Sequence, residues 1–398
     1  MKIAYISYEY PPDTAVGGIA TYVQQVSRMM LERGHTVEVF CASTHRTVTE
    51  VVDGIKVNRV LCTDREIFHY VILPFFEAAN EAGKFDLMES PEFSGDGLSI
   101  KRNFMHIPLV VRLHIPWFLV DIINNHYLTY LQKCRFIISG IVRGKLYRRF
   151  WKPRNTKTDP DYLTTMLAEQ IHTPSISLGD IVARKWRIDR NQILNIPNLF
   201  APGVELLNIP PATSTNTITY IGRLEVRKGL VKLAAALAIV LKEKPFIKVK
   251  FVGGIQKSPV KGLDMKEYLL EKLKDYRDNL EFTLVPAHQI AEVYANTDIC
   301  VFPSIWENFP YSCLEAMSAA RGIVASREGG MKDMLEDCDG GLLIDPSNHN
   351  GIAKALIRLI DDPGLRIQLG ENARKKVVTA YNNERIGVLL EENYSKLI

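Results

Sequence analysis

Two hydrophobic patterns alternate along the chain. Short runs such as KIAYISY, VEVFCA, IKVNRVL, FDLMES and PLVVRLH, then ITYIGR, IKVKFVGG, NLEFTLV, DICVFPS and GIVAS, are apolar nearly throughout. Runs of that length and continuity predict strands buried on both faces. Between them lie segments with apolar residues every three or four positions, among them residues 21–33 and LVKLAAALAIVLKEK, which predict helices. Regular alternation of the two predicts parallel sheets covered on both sides. A length of 398 residues exceeds one ordinary core. The expected fold class is therefore α/β, with two Rossmann-like doubly wound domains facing a central cleft. An aperiodic stretch carrying Pro202, Pro210 and Pro211 marks the boundary. The expected division is a first domain over 1–197, a linker over 198–215, a second domain over 216–380, and a C-terminal helix over 381–398 that packs back toward the first.

Composition narrows the class only a little. A formal charge of +4 does not argue for nucleic acid as a partner. The six cysteines show no metal-ligand spacing and suit reduced thiols in a cytoplasmic protein. Met1 runs straight into a strand-like segment, so no signal peptide is expected. The long apolar stretch 107–123 is interrupted by Pro108, Arg112, His114, Pro116 and Asp121, which argues against a membrane span.

Candidate chemistry gathers at strand ends, where open α/β sheets bind ligands. Gly17 and Gly18 join the first strand to a helix, a place where backbone N–H groups hold phosphate well. Turn geometry alone also accounts for such a pair. His114 closes PLVVRL and offers an imidazole to a hydroxyl or to developing charge; a satisfied structural histidine is the other reading. Arg223 follows a strand and Lys228 stands five residues on, so the two can converge on a diphosphate or simply face solvent. In WENFPYSCLE, Glu307 precedes a helix and Glu315 lies inside it, with Pro310 suiting the first turn and Gly322 the end.

Taken in order, these motifs resemble the GT-B glycosyltransferases of family 4 over nearly the whole chain. The resemblance implies a retaining transfer of a sugar from a UDP- or GDP-sugar to a hydroxyl acceptor such as a glycan, a lipid-linked saccharide or a small molecule. It implies no cofactor and no metal at the donor site. By position, Arg223 and Lys228 match the donor diphosphate pair, with Phe309 and Tyr311 contributing around the helix start. Glu307 matches the glutamate near the reacting carbon, Glu315 the one that accepts from the ribose hydroxyls. His114, Gly17 and Gly18 match first-domain elements at the donor sugar and its phosphate. The chain departs from the family at Pro310, where glycine is usual and whose missing N–H removes one donor, at Asp333, where glutamate is usual, and at PNLF in place of PNGV.

Two features lie outside that pattern. The D-x-D pairs Asp159 and Asp161, and Asp337 and Asp339, fall in segments that look like loops. Residues 122–158 hold no acid but nine cations, from Lys133 to Lys157, with Phe136, Tyr147, Phe150 and Trp151 interleaved. That composition suits a solvated helix pair, and it suits peripheral contact with an anionic membrane as well. The competing functions are a dinucleotide-dependent oxidoreductase, against which stands the lack of G-x-G-x-x-G after the first strand, and a non-catalytic nucleotide-sugar binder.

Overall fold

A computed structural model describes residues 1–14, 17–126, 130–144 and 155–398. It divides into two compact units, one formed by Met1–Leu199 with Asn383–Ile398, the other by Phe200–Asn382.

The first unit is built on an eight-stranded sheet of β1 (Lys2–Ser7), β2 (Thr36–Ser43), β3 (Val48–Val52), β4 (Ile55–Leu61), β5 (Leu87–Pro91), β6 (Leu109–Arg112), β7 (Gln170–Thr173) and β8 (Ile193–Asn195), in the order β3-β4-β2-β1-β5-β6-β7-β8. Every pair is parallel except β3 with β4. Its central strands are buried throughout apart from Lys2 at the start of β1, the signature of a sheet covered on both faces. The winding reverses between β1 and β5.

The second unit has six strands, β9 (Thr217–Ile221), β10 (Lys248–Val252), β11 (Leu280–Thr283), β12 (Ile299–Phe302), β13 (Gly322–Ser326) and β14 (Leu342–Ile344), all parallel, in the order β11-β10-β9-β12-β13-β14. Numbered within the unit, this is 3-2-1-4-5-6, the doubly wound order whose switch point lies between its first and fourth strands. Here those strands are β9 and β12.

Residues 200–215 pack onto the second unit. Phe200, Leu206 and Ile209 enter its core, Arg374 Nη2 donates to the carbonyl of Ile209 at 2.6 Å, and Arg321 Nη1 to Thr213 Oγ1 at 2.9 Å. Proline disrupts periodicity without preventing burial, so an aperiodic segment need not be a free one. The helix Asn383–Tyr394 belongs to the first unit, where Ile386, Leu390 and Tyr394 join the core and Glu391 pairs with Arg33 at 2.6 Å and His35 at 2.8 Å.

Two local expectations change. Gly322 opens β13 instead of ending the preceding helix, which stops at Ser318. The close approach there is to Arg366, whose Cγ would lie 2.5 Å from an added Cβ. Asp159 and Asp161 are not in a loop either: Asp159 caps the helix Pro160–Met166, and Asp161 sits in its first turn. Asp161 is fully buried and accepts from Ser94 N at 2.8 Å and Trp117 N at 2.6 Å.

Candidate active site

The switch point of the second sheet brings the predicted residues together. Chain leaving β9 runs through Gly222 and Arg223 into a single turn, Val226–Lys228; chain leaving β12 runs through Trp306 and Glu307 toward the helix Tyr311–Ser318. The two loops are stitched by Ile305 N donating to the Arg227 carbonyl at 3.1 Å. Gly229 (φ 78°) lets them touch, since a Cβ there would lie 1.8 Å from the carbonyl oxygen of Pro303. Gly329 (φ 82°) does the same on the other side, where a Cβ would lie 2.2 Å from the carbonyl oxygen of Glu307. Gly330 N then donates to that oxygen at 2.8 Å. Glu307 is thus held by its backbone from two directions.

Its side chain forms an ion pair with Lys228, both groups mostly buried. Burial alone pushes the Glu307 carboxyl up, but Lys228, Arg227 and Arg223 together outweigh it and hold the group below its ordinary value. Arg223 stays accessible, with 46% of its side chain exposed, and lies 3.6 Å from Glu225; Arg227 pairs with the same carboxylate at 2.9 Å. Tyr220, at the end of β9, donates its hydroxyl to the Arg223 carbonyl at 2.7 Å. Sequence reasoning missed Glu225 and Arg227, although both lie in the YIGRLEVRKGL segment it examined; alternating charges in so short a turn were the available signal.

Glu315 sits two turns behind Glu307, half-buried, and accepts from the Tyr294 hydroxyl at 3.0 Å. Burial pushes its carboxyl up to about 7, which the Tyr294 hydrogen bond only partly offsets. Tyr294 carried no sequence signal, because its contact joins residues 21 apart. Pro310 is the N-cap of the helix, not part of its first turn, with an extended backbone. Phe309 is a core residue, its ring against Tyr381 at 5.2 Å, while Tyr311 is half-buried near Phe200.

In the first unit, Gly17 caps the helix Gly18–Glu32 in an extended conformation that any residue adopts, and both glycines are exposed. A Cβ on Gly18 would meet nothing within 4 Å. His114 lies just beyond β6, 7% exposed, its backbone N donating to Glu92 at 2.9 Å and its ring edge-on to Tyr22 of that helix at 5.4 Å. Burial, with Arg112 and Arg65 nearby, lowers its imidazole to about 3, so it is neutral at pH 7 and cannot offset charge as a cation. Asp337 pairs with Lys376. Among the described residues, no cluster of three potential metal ligands occurs.

Two family models cover this architecture. Residues 16–201 match the description Glycosyltransferase Family 4, and residues 208–376 match Glycosyl transferases group 1. The chain is a family 4-type glycosyltransferase of the GT-B fold. An uncharacterized glycosyltransferase of Methanocaldococcus jannaschii is 25% identical to this glycosyltransferase over 97% of its length and 96% of the relative's. Among solved structures, sucrose-phosphate synthase from Thermosynechococcus elongatus superposes with a TM-score of 0.73 at 23% identity, over 100% of this chain and 98% of that one. HepE from Anabaena, in complex with UDP-glucose, superposes at 0.64 with 16% identity over 100% of both. The oxidoreductase and non-catalytic alternatives fall with the family assignment.

The Glu315 environment makes a stability statement. Its folded-state value near 7 exceeds the ordinary 4.5, so its contribution is fully present below about pH 4.5 and is lost as pH rises through 7. Glu315→Gln is expected to gain on the parent in thermal stability between pH 4.5 and 8, by roughly 1–3 kcal/mol at the upper end. Melting curves at several pH values check this, and parallel profiles for parent and variant would contradict it.

Proposed function

We propose that this glycosyltransferase takes its sugar from a nucleotide diphosphate donor with a uracil or guanine base and passes it to a hydroxyl acceptor with retention, without a metal. The observation that carries the reading is the Lys228–Glu307 pair at the β9–β12 switch point, with Arg223 and Arg227 beside it. Three cations around one strand end suit the negative charge that builds on a departing nucleoside diphosphate. The family assignment and the UDP-glucose bound to HepE support a nucleotide sugar as donor.

Each residue then has a task. Exposed Arg223 grips the diphosphate with its fork, and Lys228, oriented by Glu307, supplies a second charge next to it. Glu307 accepts from a sugar hydroxyl near the reacting carbon. Glu315, once ionised, accepts from the ribose hydroxyls. The helix start at Tyr311 adds its N–H groups, one fewer than a glycine at 310 would allow. Neutral His114 exchanges hydrogen bonds with a hydroxyl, and the open helix start at Gly17 and Gly18 receives phosphate.

A cytoplasmic location with peripheral membrane contact completes the proposal. No helix among the described residues is long and apolar enough to cross a membrane. The helix Tyr130–Val142 nevertheless exposes Ile138 (60%), Ile141 (56%) and Val142 (81%) beside Arg135 and Arg143. Exposed aliphatic side chains flanked by cations fit an anionic lipid surface better than water alone. Five other cations of the stretch, Lys145, Arg148, Arg149, Lys152 and Arg154, with Tyr147, Phe150 and Trp151, lie outside the described residues, while Lys133 and Lys157 lie within them.

Three outcomes test these assignments. Lys228→Ala and Arg223→Ala are expected to lower turnover by about two powers of ten, the scale of losing a charged transition-state contact. Glu307→Gln lowers turnover but keeps nucleoside diphosphate affinity in calorimetric titration, whereas Glu315→Gln loses about 1–3 kcal/mol of that affinity and its fall below pH 7. Screening UDP- and GDP-sugars for slow donor hydrolysis identifies the base.

Activity is expected to survive EDTA. Loss restored by magnesium or manganese would remove the metal-free reading.

Sedimentation with phosphatidylserine vesicles is expected to carry the protein down at low salt, and phosphatidylcholine vesicles to leave it in solution, since each cation adds about 1 kcal/mol near an anionic surface. Equal pelleting in both would end the membrane assignment.

A further inference from the structure

The first unit carries a second built surface, at the carboxyl ends of β1, β5 and β6, that the donor chemistry does not use. Its frame is a four-layer stack. The Arg65 guanidinium lies 5.1 Å from the ring centre of Tyr8 and 4.5 Å from that of Phe93, and Phe93 stacks on Trp117 at 4.6 Å with the planes 24° apart. All four are partly exposed. The stack is rigidly framed: Trp117 Nε1 donates to Ser94 Oγ at 2.9 Å, and buried Asp161 accepts from the backbone of both Ser94 and Trp117.

Carboxyl groups surround it. Arg65 donates to Glu9 at 2.6 Å and approaches Asp96 at 3.3 Å, so its single charge faces two carboxylates. Asp96 and Glu92 are almost wholly buried, and Oδ1 of the one and Oε1 of the other accept no hydrogen bond from the described residues. Burial raises Glu92 to about 8, with the charge of Asp161 adding to the effect, and raises Asp96 to about 6. The surface therefore combines aromatic area, the Glu9 carboxylate at its edge and a cation already matched by Glu9 and Asp96. Aromatic faces take the C–H face of a sugar ring, and carboxylates take its hydroxyls. A phosphate would instead meet two carboxylates, Glu9 and Asp96, against the single charge of Arg65.

We propose that the Tyr8–Arg65–Phe93–Trp117 stack, with Glu9 at its edge, is the acceptor subsite and that it takes an uncharged pyranose in preference to a phosphorylated one. This rests on the glycosyl-transfer reading and names the substrate class for its acceptor side. The ring lies against the half-exposed aromatic surface, and a hydroxyl donates to Glu9. None of the residues given to the nucleotide above belongs to this stack.

Saturation-transfer NMR on the full chain, with methyl α-D-glucopyranoside and glucose 6-phosphate as probes, tests this, and calorimetry with UDP and GDP runs alongside as the readout for the donor reading. Saturation is expected on the ring protons of the neutral glucoside and to be weaker on glucose 6-phosphate. Trp117→Ala lowers the glucoside signal about fivefold or more while nucleotide binding persists. Glu9→Gln frees part of the Arg65 charge and shifts the ratio toward glucose 6-phosphate, a change that loss of folding does not produce. Absent saturation on the glucoside, a stronger signal from glucose 6-phosphate in the parent, or an unchanged ratio in Glu9→Gln would overturn the proposal. Loss of nucleotide binding in the parent would instead strike the donor reading.

Discussion

Close backbone approach at glycine is the constraint on which the candidate site of the second unit depends. With Gly229 at φ 78° against the Pro303 carbonyl and Gly329 at φ 82° against the Glu307 carbonyl, the loops after β9 and β12 are pressed together more tightly than any side chain permits. That contact sets Lys228 against Glu307. An ion pair so far out of water is costly unless geometry is well held. Here the glycines supply the holding, and Arg223 and Arg227 supply the field that keeps the carboxylate ionised.

Glu307 and Glu315 show how one helix start runs two chemistries. Both lose solvent, but only Glu307 has cations within reach, so their carboxyls move in opposite directions from the same ordinary value. Glu307 is a permanent anion that orients a lysine. Glu315, raised to about 7, has the Tyr294 hydroxyl as its neighbour. In the first unit burial moves His114, Glu92 and Asp96 toward their neutral forms, far enough for His114 and Glu92 to be neutral at pH 7.

Much of the fold was legible in sequence because parallel strands buried on both faces are continuous apolar runs. The strands that escaped notice are those lacking that property. β3 alternates half-buried and exposed residues and pairs antiparallel with β4. β7, β8 and β14 are only three or four residues long, too short for periodicity to speak. Absence of a period likewise says nothing about burial: residues 200–215, read as a linker, are held by Arg321 and Arg374 from far along the chain.

By itself the sequence determined that there are two α/β halves, which strand ends hold candidate residues, and which residues match a known family's donor-site pattern, since all of these are properties of neighbours along the chain. Tertiary structure decided what those residues are. It made His114 neutral, turned Asp161 into a buried clamp for Ser94 and Trp117, paired Lys228 with Glu307 across 79 positions, and stacked Tyr8, Arg65, Phe93 and Trp117 into one surface. Protonation and pairing depend on burial and on charges brought near by folding, and neither distance nor solvent exposure is written in the order of residues.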